Sequence, residues 1–141
     1  MTYLLDTCVI SELVARQPNH DVVQWIDGVQ EDELCLSVIT VGEIKRGIEK
    51  LADSQRKHDL AAWLEDDLLA RFGGRILPID VPVMLVWGQL GSDMEKRGKP
   101  MPAIDSLIAA TCLEAGLSLV TRNVSDFAHS GVKVINPWAN G

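Results

Sequence analysis

The sequence predicts an α/β fold, a three-layer α/β/α sandwich around a mostly parallel central sheet. Short, continuous apolar runs rich in Leu, Val and Ile recur along the chain, and stretches with apolar residues at helical spacing lie between them. No linker, repeat or low-complexity tract divides the whole. Strands buried on both faces read as unbroken apolar runs, and strands that alternate with helices pair in parallel through right-handed crossovers. With 141 residues, 47% hydrophobic and 23% charged, the chain is expected to form one domain over residues 1–141 with a core that needs no staples.

The first strand is Tyr3–Leu5. Asp6 ends it, and apolar packing resumes on a helix at Val9, Ile10 and Leu13. Val22, Trp25, Ile26 and Val29 share one face of a second helix. The second strand, Leu34–Ser37, leads into a helix bearing Val41, Ile44, Ile48 and Leu51. Leu60, Trp63, Leu64, Leu68 and Phe72 make a longer stripe, which Gly73-Gly74 stops. A third strand, Arg75–Ile79, precedes a helix carrying Val83, Val86, Trp87, Leu90 and Met94. Pro100 and Pro102 mark the start of another, with Ile104, Leu107, Ile108 and Thr111 on its face. Leu117–Thr121 and Val132–Ile135 are the last two strands.

Composition narrows the function. A net charge of -7 argues against a protein that coats nucleic acid with a broad basic face, and permits an enzyme that meets an anionic substrate through a bound cation, or a basic protein partner. The start lacks a basic region followed by an apolar run, and the longest uncharged run, Val81 to Ser92, is 12 residues with a proline, so no membrane association is expected. Cys8, Cys35 and Cys112 are odd in number and form no CxxC pair, which suits reduced thiols in a cytoplasmic protein. His20, His58 and His129 lack zinc spacing and read as surface residues.

In parallel α/β folds the functional crevice lies outside the carboxyl ends of the strands. Asp6 closes the first strand, and Asp126 follows "LSLVTR" with Asn123 between them. Asp105 occupies the first turn of the helix opened by the two prolines. Glu43 lies one turn into the helix after the second strand, at the flank of its apolar stripe. Each has a structural alternative: Asp6 or Thr7 as a helix cap, Asp105 as a dipole partner, Asp126 opening a short helix, Glu43 solvated. Jointly these alternatives are weaker, because unpaired carboxylates brought together repel and raise each other's pKa. A hard divalent cation resolves the repulsion, and such a site suits phosphodiester chemistry. No GxxxxGK[ST], GxGxxG or GxSxG motif competes. Cys8 is a poor nucleophile beside carboxylates, which raise a thiol's pKa.

The stretches "LLDTCVISEL", "LSVITVGEIKRGI", "PAIDSLIAATCLEAGLSLVTRNVSDF" and "VINPW", spread from residue 3 to residue 138, resemble the PIN-domain family, in particular the VapC-type toxin ribonucleases and their FitB-like branch. The resemblance implies a Mg²⁺- or Mn²⁺-dependent endoribonuclease that leaves a 5′-phosphate and a 3′-hydroxyl. It further implies a homodimer, held inactive in a hetero-oligomer with a cognate antitoxin. Asp6, Glu43 and Asp105 match the family's first three acids. The fourth acidic role lies between Asn123 and Asp126, with Asp126 favoured for its charge. Thr7 matches the hydroxyl beside the first acid, placed to orient Asp6 or a water. Arg46, Lys96, Arg97, Lys99 and Arg122 are candidate contacts to RNA phosphates, although Lys96, Arg97 and Lys99 also end a helix, where cations are favoured anyway. For the partner, a basic segment with an arginine is expected to enter the acidic pocket. A phospho-aspartate receiver or phosphatase would need a second acid beside Asp6, which "LLDTC" lacks. A non-catalytic binding module on the same fold is the other rival.

Overall fold

A computed structural model of the chain describes residues 1–139; the last two positions of the unit expected over 1–141 lie outside the described residues. The strands are β1 (Tyr3–Leu5), β2 (Leu34–Ser37), β3 (Ile76–Leu77), β4 (Ser118–Val120) and β5 (Val134–Ile135). They form one sheet in the order β3-β2-β1-β4-β5, and every pairing is parallel. Register is set by Tyr3 opposite Leu34 on one side and Ser118 on the other.

The helices are α1 (Thr7–Leu13), α2 (His20–Asp27), α3 (Val38–Glu49), α4 (Gln55–Ala62), α5 (Leu69–Arg71), α6 (Val81–Lys96) and α7 (Ala103–Ala115). Side chains alternate across the sheet and divide the core in two. Leu5, Leu34, Leu36 and Val120 face Val9 and Ile10 of α1, Val22 of α2 and Ile44 and Ile48 of α3. Leu4, Cys35 and Leu119 face Leu90 and Met94 of α6 and Ile108, Ala109 and Cys112 of α7. The sheet is thus covered on both faces. At ~25 cal/mol per Å² of apolar surface, a fully buried side chain such as Leu5 or Leu119 contributes about 1.5–3 kcal/mol before entropy is counted.

The single stripe expected from Leu60 to Phe72 is helical but not uniform. It begins earlier, where Ser54 caps α4, and passes through a π-helical stretch, Trp63–Leu68, before α5. The wider turn keeps Leu64, Leu68 and Phe72 buried together while Glu65, Asp66 and Asp67 face solvent. Gly74, at φ +80°, then turns the chain into β3 in a conformation that favours glycine. The edge strands β3 and β5 are shorter than the runs that predict them. Arg75 still takes part in the ladder, its carbonyl accepting from Leu36 N at 2.9–3.0 Å spacing typical of a strand bond, here 3.0 Å.

The strand order has one consequence for function. The chain steps from β1 outward to β2 and β3, then crosses to the other side of β1 for β4 and β5. The direction of winding therefore reverses between β1 and β4, and a crevice opens at their carboxyl ends.

Candidate active site

Asp6 stands at that reversal. It follows β1 directly, its backbone N–H donates to Val120 O of β4 at 2.9 Å, and it is the N-cap of α1. Its side chain is 7% exposed, which leaves little water to solvate a charge. Thr7 N donates to Oδ1 at 2.9 Å, and the buried hydroxyl of Thr121, just past β4, donates to Oδ2 at 2.8 Å. Burial pushes the Asp6 carboxyl above the usual range; those two hydrogen bonds oppose the shift, and the charges of Glu43 and Asp126 add to it.

Glu43 is brought in by α3, which Ser37 caps at the end of β2 with its Oγ accepting from Ile39 N at 3.0 Å. One turn later Glu43 Oε1 accepts from Thr7 Oγ1 at 2.6 Å, and the buried Thr40 hydroxyl lies 3.2 Å from the same Thr7 oxygen. Thr7 therefore serves two acids, its amide holding Asp6 and its hydroxyl holding Glu43.

Asp105 lies in the first turn of α7, after Pro102 at the N-cap. Burial raises its pKa, and Asp126, Asp6 and Glu43 raise it further through their charges. Asp126 sits on a short 3-10 helix, Val124–Phe127, anchored by the fully buried Phe127. Asp105 and Asp126 line one cleft of about 240 Å³ together with Lys99, Ser125 and His129. The four carboxylates thus lie close enough to repel one another, and among the described residues none of them is within ion-pair distance of a Lys, Arg or His.

Asn123 is at the same sheet edge. Its backbone N–H donates to Thr121 Oγ1 at 3.1 Å and its carbonyl accepts from Asp126 N at 3.2 Å, while its side chain makes no hydrogen bond among the described residues. The backbone of Asn123 thus links Thr121 to Asp126.

The sequence-predicted cations are not gathered in one patch. Arg97 and Lys99 share a partner, His129, at the Asp105 and Asp126 cleft. Arg122 places its guanidinium 4.8 Å from the centre of the Trp138 ring, and Trp138 Nε1 donates to Glu12 Oε1 at 3.1 Å. Arg46 is exposed on α3, three residues past Glu43, and Lys96 is exposed at the end of α6. Cys8 has its thiol 3.4 Å from Thr121 Oγ1, and burial, with Asp6 adding its charge, pushes the thiol up, away from reactivity. Burial likewise lifts Cys35 to about 11 and Cys112 to about 12.

Thr121 and Thr40 belong to this neighbourhood without having been singled out in the sequence, and His129, expected at the surface, is exposed and lines the cleft. For Thr121 the signal is present in "LVTRN": a hydroxyl residue at the carboxyl end of a buried strand, at the position equivalent to Asp6 on its neighbour. Thr40 and His129 carry no comparable signal, because their roles depend on which loops meet.

The donor set can be tested against a metal. All four acids offer hard oxygen donors, and among the described residues none of them is ion-paired. Among the described residues no three His, Cys, Asp or Glu side chains close into a ready-made cage. That combination fits a small divalent ion which keeps several waters and takes one or two carboxylates directly; it does not fit a structural zinc site.

A family model described as PIN domain matches residues 3–131. The chain is 42% identical to the Toxin FitB of Neisseria gonorrhoeae over 96% of this chain and 97% of that one. It is 36% identical to the VapC ribonuclease Y4jK of Sinorhizobium fredii, over 96% of each chain. The crystal structure of FitAcB from Neisseria gonorrhoeae superposes with a TM-score of 0.93 at 40% identity, covering 98% of this chain and 99% of that chain.

Proposed function

The chain belongs to the PIN-domain family, on its VapC/FitB branch, and from that premise we propose that it is the toxin of a toxin–antitoxin pair, a Mg²⁺- or Mn²⁺-dependent endoribonuclease. One observation carries the reading: four carboxylates from separate parts of the chain lie within electrostatic reach of one another at the β1/β4 crevice, and among the described residues none of them is ion-paired. Such an arrangement costs stability through burial and repulsion, so a fold retains it only where something cationic completes it.

Asp6 and Asp105 would hold the ion, directly or through its waters, with Glu43 and Asp126 completing the pocket. When bound, the ion supplies Lewis-acid activation of water and neutralises charge on the phosphorus oxygens. The protein's part is orientation. The Thr121 hydroxyl and Thr7 amide fix both oxygens of Asp6, so its carboxylate cannot rotate away. The Thr7 hydroxyl fixes one oxygen of Glu43 and leaves the other to accept a proton or a water. Asp126, with the neutral Asn123 as a positioning group, takes the fourth acidic role. In-line attack of water on phosphorus forms the new P–O bond as the bond to the 3′-oxygen breaks; that oxygen takes up a proton, which leaves a 5′-phosphate and a 3′-hydroxyl. Arg46, Arg97, Lys99 and Arg122 are the candidate contacts to the flanking phosphates, each able to neutralise one backbone charge.

The partner follows from the same site. A groove of about 310 Å³ lined by Ile44, Ile48, Leu60 and Trp63 also includes Thr7 and Glu43 in its wall. An amphipathic antitoxin segment laid in it brings a basic side chain to the acids, and an arginine matches a carboxylate bidentately. Inhibition then works by competition for Asp6, Glu43 and Asp105. The exposed apolar side chains Val81, Met84 and Leu85 of α6 support a homodimer. Among the described residues no helix is long and apolar enough to cross a membrane.

The test is to incubate the purified, partner-free protein with total RNA in Mg²⁺, Mn²⁺ or EDTA and to sequence the new ends. Discrete cuts bearing 5′-phosphates, present with metal and absent in EDTA, are expected. Intact RNA under all three conditions leaves a binding module as the better reading.

A further inference from the structure

Lys99 is a cation in an acidic cleft that pairs with none of the acids. It lines the same cleft as Asp105 and Asp126, yet among the described residues no carboxylate lies within ion-pair distance of its Nζ. Its ammonium lies instead 3.1 Å from His129 Nε2. An ammonium has no lone pair, so it donates and the imidazole nitrogen accepts.

The two side chains are exposed, but the backbone at both ends of this contact is held in place. Lys99 follows Gly98, which at φ +70° ends α6 in a Schellman motif: Gly98 N donates to Glu95 O at 3.0 Å and Lys99 N to Met94 O at 2.9 Å. His129 lies between two buried residues, Phe127 and Ser130, and Ser130 Oγ donates to Phe127 O at 2.7 Å. Arg97 closes the arrangement, its Nη1 donating to the His129 carbonyl at 3.1 Å.

We propose that His129 is a positioning residue: it holds the Lys99 ammonium off Asp105 and Asp126, so that the cation meets an RNA phosphate at the cleft and leaves the carboxylates to the metal. The inference rests on the nuclease reading of the same site and extends it. A flexible lysine beside two unpaired acids would otherwise fold onto them, cancelling both the charge that binds metal and the charge that binds RNA. A neutral acceptor at the right place prevents this without using up the lysine's charge. Lys99 then neutralises one backbone charge beside the scissile position, and Arg97 stiffens the support through the one N–H that donates to the His129 carbonyl, its other donors remaining open to phosphate.

The test compares Lys99→Ala, His129→Ala, His129→Gln and the double alanine variant. Two readouts are used: single-stranded RNA binding by anisotropy in Ca²⁺ across a salt series, and Mn²⁺ binding by calorimetry. Gln is the informative substitution, since its side-chain carbonyl can accept where Nε2 does. Lys99→Ala is expected to weaken RNA binding roughly fivefold and to make the slope of log K against log salt shallower by about 0.7. His129→Ala is expected to weaken both RNA and Mn²⁺ binding; Gln restores both, and removing Lys99 as well restores Mn²⁺ binding alone. RNA and Mn²⁺ affinities unchanged in His129→Ala overturn the proposal, even if the wild type cleaves RNA normally. Binding changes of the expected pattern in a protein that cleaves nothing uphold it and sink the nuclease reading instead.

Discussion

Asp6 is a helix cap and a member of the acid cluster at once, so the two readings that its sequence context allows do not compete. Asp105 separates the electrostatic role from packing more cleanly, because its side chain makes no hydrogen bond among the described residues and sits in the first turn of α7. Its pKa is raised, so the fold holds the Asp105 proton more tightly than the unfolded chain does. The stability associated with that shift is present below the ordinary carboxylate pKa of about 3.9 and is lost as pH rises through the raised value. Asp105→Asn is therefore expected to melt higher than the metal-free wild type at neutral pH, with the difference closing below about pH 4, while RNA cleavage is lost. Equal cleavage by the variant would remove Asp105 from the mechanism. Thr121→Val removes the donor on Asp6 Oδ2 and keeps the side chain's shape; calorimetry should show Mn²⁺ binding weaker by roughly 10–100-fold. The acids were legible as residues because strand ends and first turns can be found from periodicity. The hydroxyls that hold them were harder to see, since a Thr in an apolar run reads as β-branched packing.

At the level of elements, the chain's apolar rhythm located all five strands and the helices between them, with differences at the ends. β3 and β5 shrink because an edge strand has a partner on one side only. The π-helical stretch Trp63–Leu68 was not legible: Leu60, Leu64, Leu68 and Phe72 recur every four residues, a spacing that an α-helix and a locally wider one both satisfy. The short 3-10 turn Glu31–Glu33 has no apolar residue, and Val124–Phe127, with only Val124 and Phe127 apolar, is too short to establish a period. Helix α2 offers a test away from the acids. Its N-cap Asn19 accepts from Asp21 N at 2.9 Å and Val22 N at 3.2 Å, and Val22 is fully buried. Asn19→Ala should cost about 1 kcal/mol in urea unfolding with cleavage per folded molecule unchanged. A loss of activity without a loss of stability would tie α2 to the site in a way the fold does not explain. Leu119→Ala, in the interior strand β4, should cost about 2–5 kcal/mol on the same scale.

At the scale of the whole molecule, the layers followed from alternation and crossover handedness, whereas the strand order did not. No local pattern says that β4 pairs with β1 and not with β3; that is decided by which helices pack together, and α6 against α7 on one face settles it. Yet the proposed function depends on this order, because it puts Thr121 beside Asp6 and opens the crevice between them. On the proposed reading, the four carboxylates gathered there make the metal-free molecule less stable than its core alone would allow, and a cation that binds the folded state relieves this. The most direct measurement is a melting curve of the partner-free wild type against Mn²⁺ concentration at neutral pH, beside Asp6→Asn, whose side chain still caps α1. A progressive rise in Tm is expected for the wild type, reaching about 2.7 kcal/mol of added stability at a hundredfold excess over Kd, with a much smaller rise for Asp6→Asn. A wild-type Tm that ignores millimolar Mn²⁺, or an equal rise in both proteins, would contradict a metal site at the β1/β4 crevice.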